Sequence, residues 1–266
     1  MIKIKFEVGE AEFDDQDPID LSIPLIFNGP QPNAYGVEQA ASTLCRAGDL
    51  VGDTRLGGSC NFEQYTFIPH CNGTHTECVG HITNDRISVR DCLQDVFIRA
   101  SLITISPQHA SQVTEEFSVE CDELDTVITR ENLEQVLGQG SPTALIIRTS
   151  PNDDSKLTRS YVDKIPPYFT NQAIAYVVKL GIKHLLVDTP SIDRIFDGGK
   201  LANHRRFWNV EPGSFEINAG TRRNSTITEL IYVPNEVEDG EYVLNLQIAP
   251  FAADASPSRP VIFKVS

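Results

Sequence analysis

The chain has little of several things, and each shortage excludes something. Its six cysteines (Cys45, Cys60, Cys71, Cys78, Cys92 and Cys121) form no Cys-x-x-Cys pair, which removes zinc ribbons and thioredoxin-like redox motifs. No stretch approaches the ~18–20 apolar residues of a membrane span. The start, Met-Ile-Lys-Ile-Lys-Phe-Glu-Val, alternates apolar and charged residues and so reads as a strand, not as a signal peptide. The expectation is a cytoplasmic protein with reduced thiols. Positive charge is also short: 22 Lys and Arg face 37 Asp and Glu, a net charge of −15. Nucleic acid and anionic membranes are therefore poor partners, since neither offers counter-charge. There is one Trp (Trp208) and one Met, and no internal repeat, low-complexity tract or linker. With 40% apolar residues, the chain reads as one globular domain over residues 1–266.

The pattern of elements is mixed. Residues 2–8, 21–27, 62–70 and 96–105 read as strands, with Pro24 marking an edge or a bulge. Residues 28–60 are rich in Gly, Asn, Pro and Asp and read as a long surface stretch. Residues 130–138 suggest a short helix closed by Gly138. Ala144–Thr149 follows Ser141-Pro142 as a buried strand. Thr170 caps a helix with an apolar face of Ala173, Ile174, Val177, Val178 and Leu180, ended by Gly181. His184–Val187 is the next buried strand, so strand–helix–strand here predicts a right-handed crossover with parallel pairing. Leu201–Asn209 reads as a short helix and 209–226 as a loop insertion. Residues 227–233, 242–248 and 261–265 read as three further strands.

Chemistry concentrates in residues 70–81, His-Cys-Asn-Gly-Thr-His-Thr-Glu-Cys-Val-Gly-His, which hold three of the chain's six histidines. In extended backbone, His75 and Glu77 point to one face. Gly73-Thr74 permits a turn that returns His70 to the same point, and His81 lies an even number of residues beyond His75. Imidazole nitrogen and carboxylate oxygen suit a divalent metal such as zinc, manganese or iron. Cys71 and Cys78 read as small buried side chains. His109 and His184 have no context that assigns them a role.

His-x-x-Gly-Thr-His-x-Glu-x-x-x-His resembles the signature of the cyclase family of metal-dependent hydrolases, which includes kynurenine formamidases and isatin hydrolases. That family's usual pattern is His-x-Gly-Thr-His-x-Asp-x-Pro-x-His. Asp20-Leu-Ser22, Ala144–Thr149, Gly181–Asp193, Ala202-Asn-His204, Ile227-Thr-Glu229-Leu230 and Ser256-Pro-Ser-Arg-Pro260 are similar to further family segments, in the same order. The resemblance implies an α/β fold: a single domain around a twisted, mostly antiparallel mixed β-sheet with flanking helices, of the swivelling β/β/α type. It implies His70, His75, Glu77, His204 and Glu229 as ligands of one or two zinc or manganese ions. It implies His81 as the acid–base histidine and a homodimer or homotetramer. Three departures stand out. One extra residue separates His70 from Gly73, which places Cys71 in the usual histidine slot and leaves His70 or Cys71 as the first ligand. Glu77 replaces aspartate, and Val79 replaces proline.

The expected function is hydrolysis of a small-molecule amide, an arylformamide such as N-formylkynurenine or a cyclic amide, by a metal-activated water. Two alternatives are a non-haem iron oxygenase using His75, Glu77 and His204 as a facial triad, and a family member that binds metal or ligand without turnover.

Overall fold

The computed structural model describes every residue except Val8, 138–141 and Ser266. The expected reach of the first strand to Val8, Gly138 as a helix stop, and Ser141 lie outside the described residues.

An eight-stranded sheet forms the centre. In chain order its strands are β1 Ile19–Asp20, β2 His75–Glu77, β3 Phe97–Ile105, β4 Ala144–Thr149, β5 His184–Val187, β6 Thr226–Glu229, β7 Gly240–Ile248 and β8 Ala255–Lys264. Their spatial order is β7-β3-β4-β5-β6-β2-β8-β1, and β7 also pairs with β8, so the sheet closes on itself. Three pairings, β3–β4, β4–β5 and β5–β6, are parallel, and the other five are antiparallel. The crossover between Ala144–Thr149 and His184–Val187 is thus parallel, within a mostly antiparallel mixed sheet. Among the described residues five α-helices flank it: α1 Pro69–Asn72, α2 Val89–Cys92, α3 Arg130–Val136, α4 Asn171–Lys179 and α5 Ala202–Trp208. No described helix is long and apolar enough to cross a membrane.

Strand alternation divides the core in two. Leu145, Ile147, Leu185 and Val187 pack with Ala173, Ile174 and Val177 of α4 and with Phe207 and Trp208 of α5. The residues between them, Ala144, Ile146 and Leu186, face Ile98, Ala100, Leu102, Leu244 and Ile262 on the other side. Both faces are covered, so β4 is apolar nearly throughout and buried along its whole length. Each such aliphatic side chain contributes about 1.5–3 kcal/mol of burial. α4 starts where Thr170 Oγ1 accepts from Ala173 N (3.1 Å), and Gly181 ends it with φ of 78°.

Two strand expectations need correction, and one histidine without an assigned role acquires one. Residues 21–27 form no strand beyond a single bridge from Ser22 to Ile231. Pro24 has no N–H, and Ile23 N donates to Thr74 Oγ1 (2.8 Å) rather than to a ladder. The strand expected over 62–70 stops at Thr66, because Pro69 opens α1. His184 has a structural role: Nε2 meets Asp95 (2.8 Å) and Nδ1 meets Thr226 Oγ1 (2.8 Å), which ties the starts of β5 and β6 together.

The ends of β4 and β5 are joined by buried charge. Asp188 accepts from Thr149 N (2.7 Å) and from Lys156 Nζ (2.7 Å), and both charged side chains are buried. Burial pushes the Asp188 carboxyl up, against the pull of Lys156. Replacing Lys156 by Met strands that carboxylate, and the expected loss is about 3–5 kcal/mol, measured by urea unfolding.

Candidate metal centre

The local fold brings the two ends of the 70–81 stretch together in a different way from the sequence expectation. Gly73 is fully extended (φ 178°) and makes no turn. One turn of helix, α1, absorbs the extra residue and swings His70 back over Glu77. β2 then carries His75 and Glu77, both fully buried. The strand stops there, and a 3-10 turn over Val79–Ile82 returns His81. An extended path to His81 is therefore not what forms. Gly80 makes that turn possible, since a Cβ there would lie 2.1 Å from the Ile87 carbonyl oxygen.

The distant residues arrive from neighbouring elements. β6 pairs β2 with Glu229 opposite His75. α5 presents His204, and the loop before β8 presents Asp254. The two oxygens of Glu77 lie 3.0 Å from His70 Nδ1 and 2.9 Å from His204 Nε2. His81 Nε2 is 3.8 Å from Glu77, and Glu229 lies 3.5 Å from His75 Nε2 and 3.6 Å from His204 Nε2. Despite these approaches, both Glu77 oxygens and His75 Nε2 have no partner of hydrogen-bonding geometry. Buried polar atoms left this way cost free energy unless something else meets them.

The outer nitrogens tell the other half. His70 Nε2 donates to Asp254 (3.0 Å), His75 Nδ1 to the Gly73 carbonyl (3.1 Å), and His204 Nδ1 to Asp193 (2.7 Å). Each imidazole thus gives its N–H outward and turns its other nitrogen toward a carboxylate of the cluster, His70 and His204 toward Glu77 and His75 toward Glu229, the orientation that metal-binding histidines take. Two overlapping donor groups result, His70–Glu77–His81 and His75–Glu77–Glu229, each with ligand atoms within 4.8 Å of one another. The donor set fits a divalent metal, with Glu77 common to both groups. Cys71, the other candidate for first ligand, belongs to neither group. Burial, and then Glu229, push its thiol up to about 11, so it stays protonated.

All six sequence-derived site residues meet here: His70, His75, Glu77, His81, His204 and Glu229. Asp193 and Asp254 were missed as participants. Asp193 lay in a segment with family resemblance but had no assigned role. Asp254 is 184 residues from His70, and no spacing announces it. It also accepts from His81 Nδ1 (3.3 Å), so one carboxylate orients both histidines. Trp208 does not line a pocket; it is fully buried and donates to Ser225 O (2.9 Å).

Residues 19–194 match the model of the family described as putative cyclase. The chain belongs to the cyclase family. Among curated proteins it is 27% identical over 207 residues to a kynurenine formamidase of Bacillus cytotoxicus, covering 77% of this chain and 81% of that one. It is 26% identical over 250 residues to that of Bacillus cereus, covering 92% and 96%. Among solved structures, a predicted metal-dependent hydrolase from Bacillus stearothermophilus superposes with a TM-score of 0.59 at 14% identity, covering 93% of this chain and 98% of the other. Isatin hydrolase A from Labrenzia aggregata does so with 0.60 at 14% identity, covering 94% of each. These structures share the mixed α/β fold.

Two outcomes follow. Replacing Asp193 by Asn removes the carboxylate that orients His204, so zinc affinity falls about 10–100-fold, read by competition with a chromogenic chelator. The second concerns pH. Burial opposes charge on His70, but its contacts with Asp254 and Glu77 outweigh burial and push it up to about 10 in the metal-free site. Below that pH a metal must displace a proton, so affinity weakens as pH falls from about 10. Calorimetry in buffers of different protonation enthalpy reads the released protons.

Proposed function

We propose that the protein is a metal-dependent amide hydrolase of the arylformamidase type, acting on a formamide or a cyclic amide. The observation that carries this reading is the convergence of three outward-tethered imidazoles and two carboxylates on a buried point where Glu77 has no hydrogen-bond donor. The family membership, and relatives known as kynurenine formamidase, support the same reaction class.

His70, His75, Glu77, His204 and Glu229 would hold the metal, as one or two ions of zinc or manganese. A divalent metal, when bound, supplies Lewis acidity and lowers the pKa of water towards about 7. The remaining work falls to the chain. Asp254 holds His81 Nδ1–H, which fixes the tautomer and leaves Nε2 facing the cluster. His81 Nε2 takes the proton from the attacking water and returns it to the leaving nitrogen as the C–N bond breaks. Water is consumed, with OH joining the acyl carbon and H the nitrogen, to give a carboxylic acid, which then ionises by releasing a proton, and an amine. β2, β6 and α5 bury His75, Glu77, His204 and Glu229, which keeps bulk water from that side of the cluster. An iron oxygenase built on His75, Glu77 and His204 needs open positions beside that triad. His70 and Glu229 fill that space, at 3.0 Å from Glu77 and 3.5 Å from His75.

Metal analysis combined with a panel of aryl formamides, lactams and lactones tests the reading. The expected result is bound zinc or manganese and turnover of an amide. Replacing His81 by Ala is expected to leave metal content intact and lower kcat by about 10²-fold. Oxygen consumption without hydrolysis would reverse the assignment.

A further inference from the structure

Tyr35 and Gly36 both have positive φ, 62° and 69°, and Asn33 Nδ2 closes the bend on Val37 O (2.8 Å). Two consecutive left-handed residues make the kind of turn in which Asn-Gly is the unstrained pair. A tyrosine in the first place is strained by its own Cβ. Phe196, on the 190–201 loop, is also left-handed at 62°. The two rings meet edge to face, 5.9 Å apart at 89°.

Apolar burial does not explain this arrangement, because Tyr35 is 39% and Phe196 53% exposed. The turn is nonetheless firmly placed. Asn33 N donates to Arg159 O and Ala34 N to Cys71 O, each at 3.0 Å, the latter on the helix that carries His70. The Tyr35 hydroxyl lies within electrostatic reach of Glu229 and His204, with the Ser191 side chain near it. Strain held at such a place is characteristic of functional sites. A phenol ordinarily loses its proton near pH ~10. Burial and then Glu229 push this one up to about 12, so it remains a donor near neutral pH.

We propose that Tyr35 is a substrate-contacting residue of the metal site: its hydroxyl donates a hydrogen bond to the acyl oxygen of the bound substrate, with Phe196 bracing the ring. The assignment rests on the hydrolase reading above and adds to it the donor that meets the carbonyl.

Tyr35→Phe tests it, since the variant keeps the ring and the turn and removes only the donor. Two readouts are taken on the zinc-loaded protein. One is kcat and KM on the amide panel. The other is calorimetric binding of benzoate, a carboxylate probe that offers the same acyl oxygen and a ring. Expected are a fall in kcat/KM of about 10²-fold, mostly in kcat, and benzoate binding about tenfold weaker. Zinc content and Tm stay unchanged. Phe196→Leu gives a smaller loss in both readouts. Benzoate that binds the wild type no better than Tyr35→Phe overturns the proposal. If the wild type hydrolyses nothing in the panel while benzoate affinity still depends on the Tyr35 hydroxyl, the hydrolase reading falls and the Tyr35 contact stands.

Discussion

Glu77 carries a carboxylate into the middle of a closed sheet, without solvent and without a hydrogen-bond donor aimed at either oxygen. An isolated ionised group in that position is costly to bury. Its charge is met by imidazoles, with His81 and His204 holding the Glu77 carboxyl well below its ordinary range against the penalty of burial. The surrounding architecture serves that arrangement. β2 is only three residues long, yet it pairs on one side with β6 and on the other with β8. The first pairing brings in Glu229, and the approach to the second brings in Asp254. The parallel strands β5 and β6 place their C-terminal ends on the same side, so that Asp193, reached from β5, can hold His204.

Two of the three departures of the 70–81 stretch from the family pattern meet in a single contact. The extra residue before Gly73 is taken up in α1, and the additional methylene of Glu77 lies across from it. His70 Nδ1 and Glu77 Oε2 end 3.0 Å apart. A longer carboxylate and a displaced histidine are thus parts of one geometry, and Cys71 drops out as a ligand.

Much of this was readable from residues. β4 and β5 were bounded correctly because continuous apolar runs between turn signals leave little choice, and Thr170 gave away the start of α4. The candidate ligands closest in sequence were legible because six candidate donors crowd into twelve positions. The route between them was not, since helix and 3-10 turns at Pro69 and Val79 override the period-two pattern that an extended chain would follow. Asp254 was invisible for a different reason. A lone aspartate in a loop carries no local signature, and its role appears only once β8 is laid beside β2. Tyr35 was hidden because its importance lies in a backbone angle, which sequence does not print.

The site is spread unevenly along the chain, and this bears on assembly. His70, His75 and Glu77 lie within eight positions and are near one another as soon as that segment is made. His204, Glu229 and Asp254 belong to the last third, and they reach the cluster only when β6 and β8 have paired with β2. An ion bound as proposed would find three of its five donors early, and held late it would cross-link segments up to 159 residues apart, His70 to Glu229. A metal bound there would therefore stabilise the closed sheet in preference to every earlier stage. On the proposed function, the metal supply would then become a determinant of how much finished protein a given amount of chain yields.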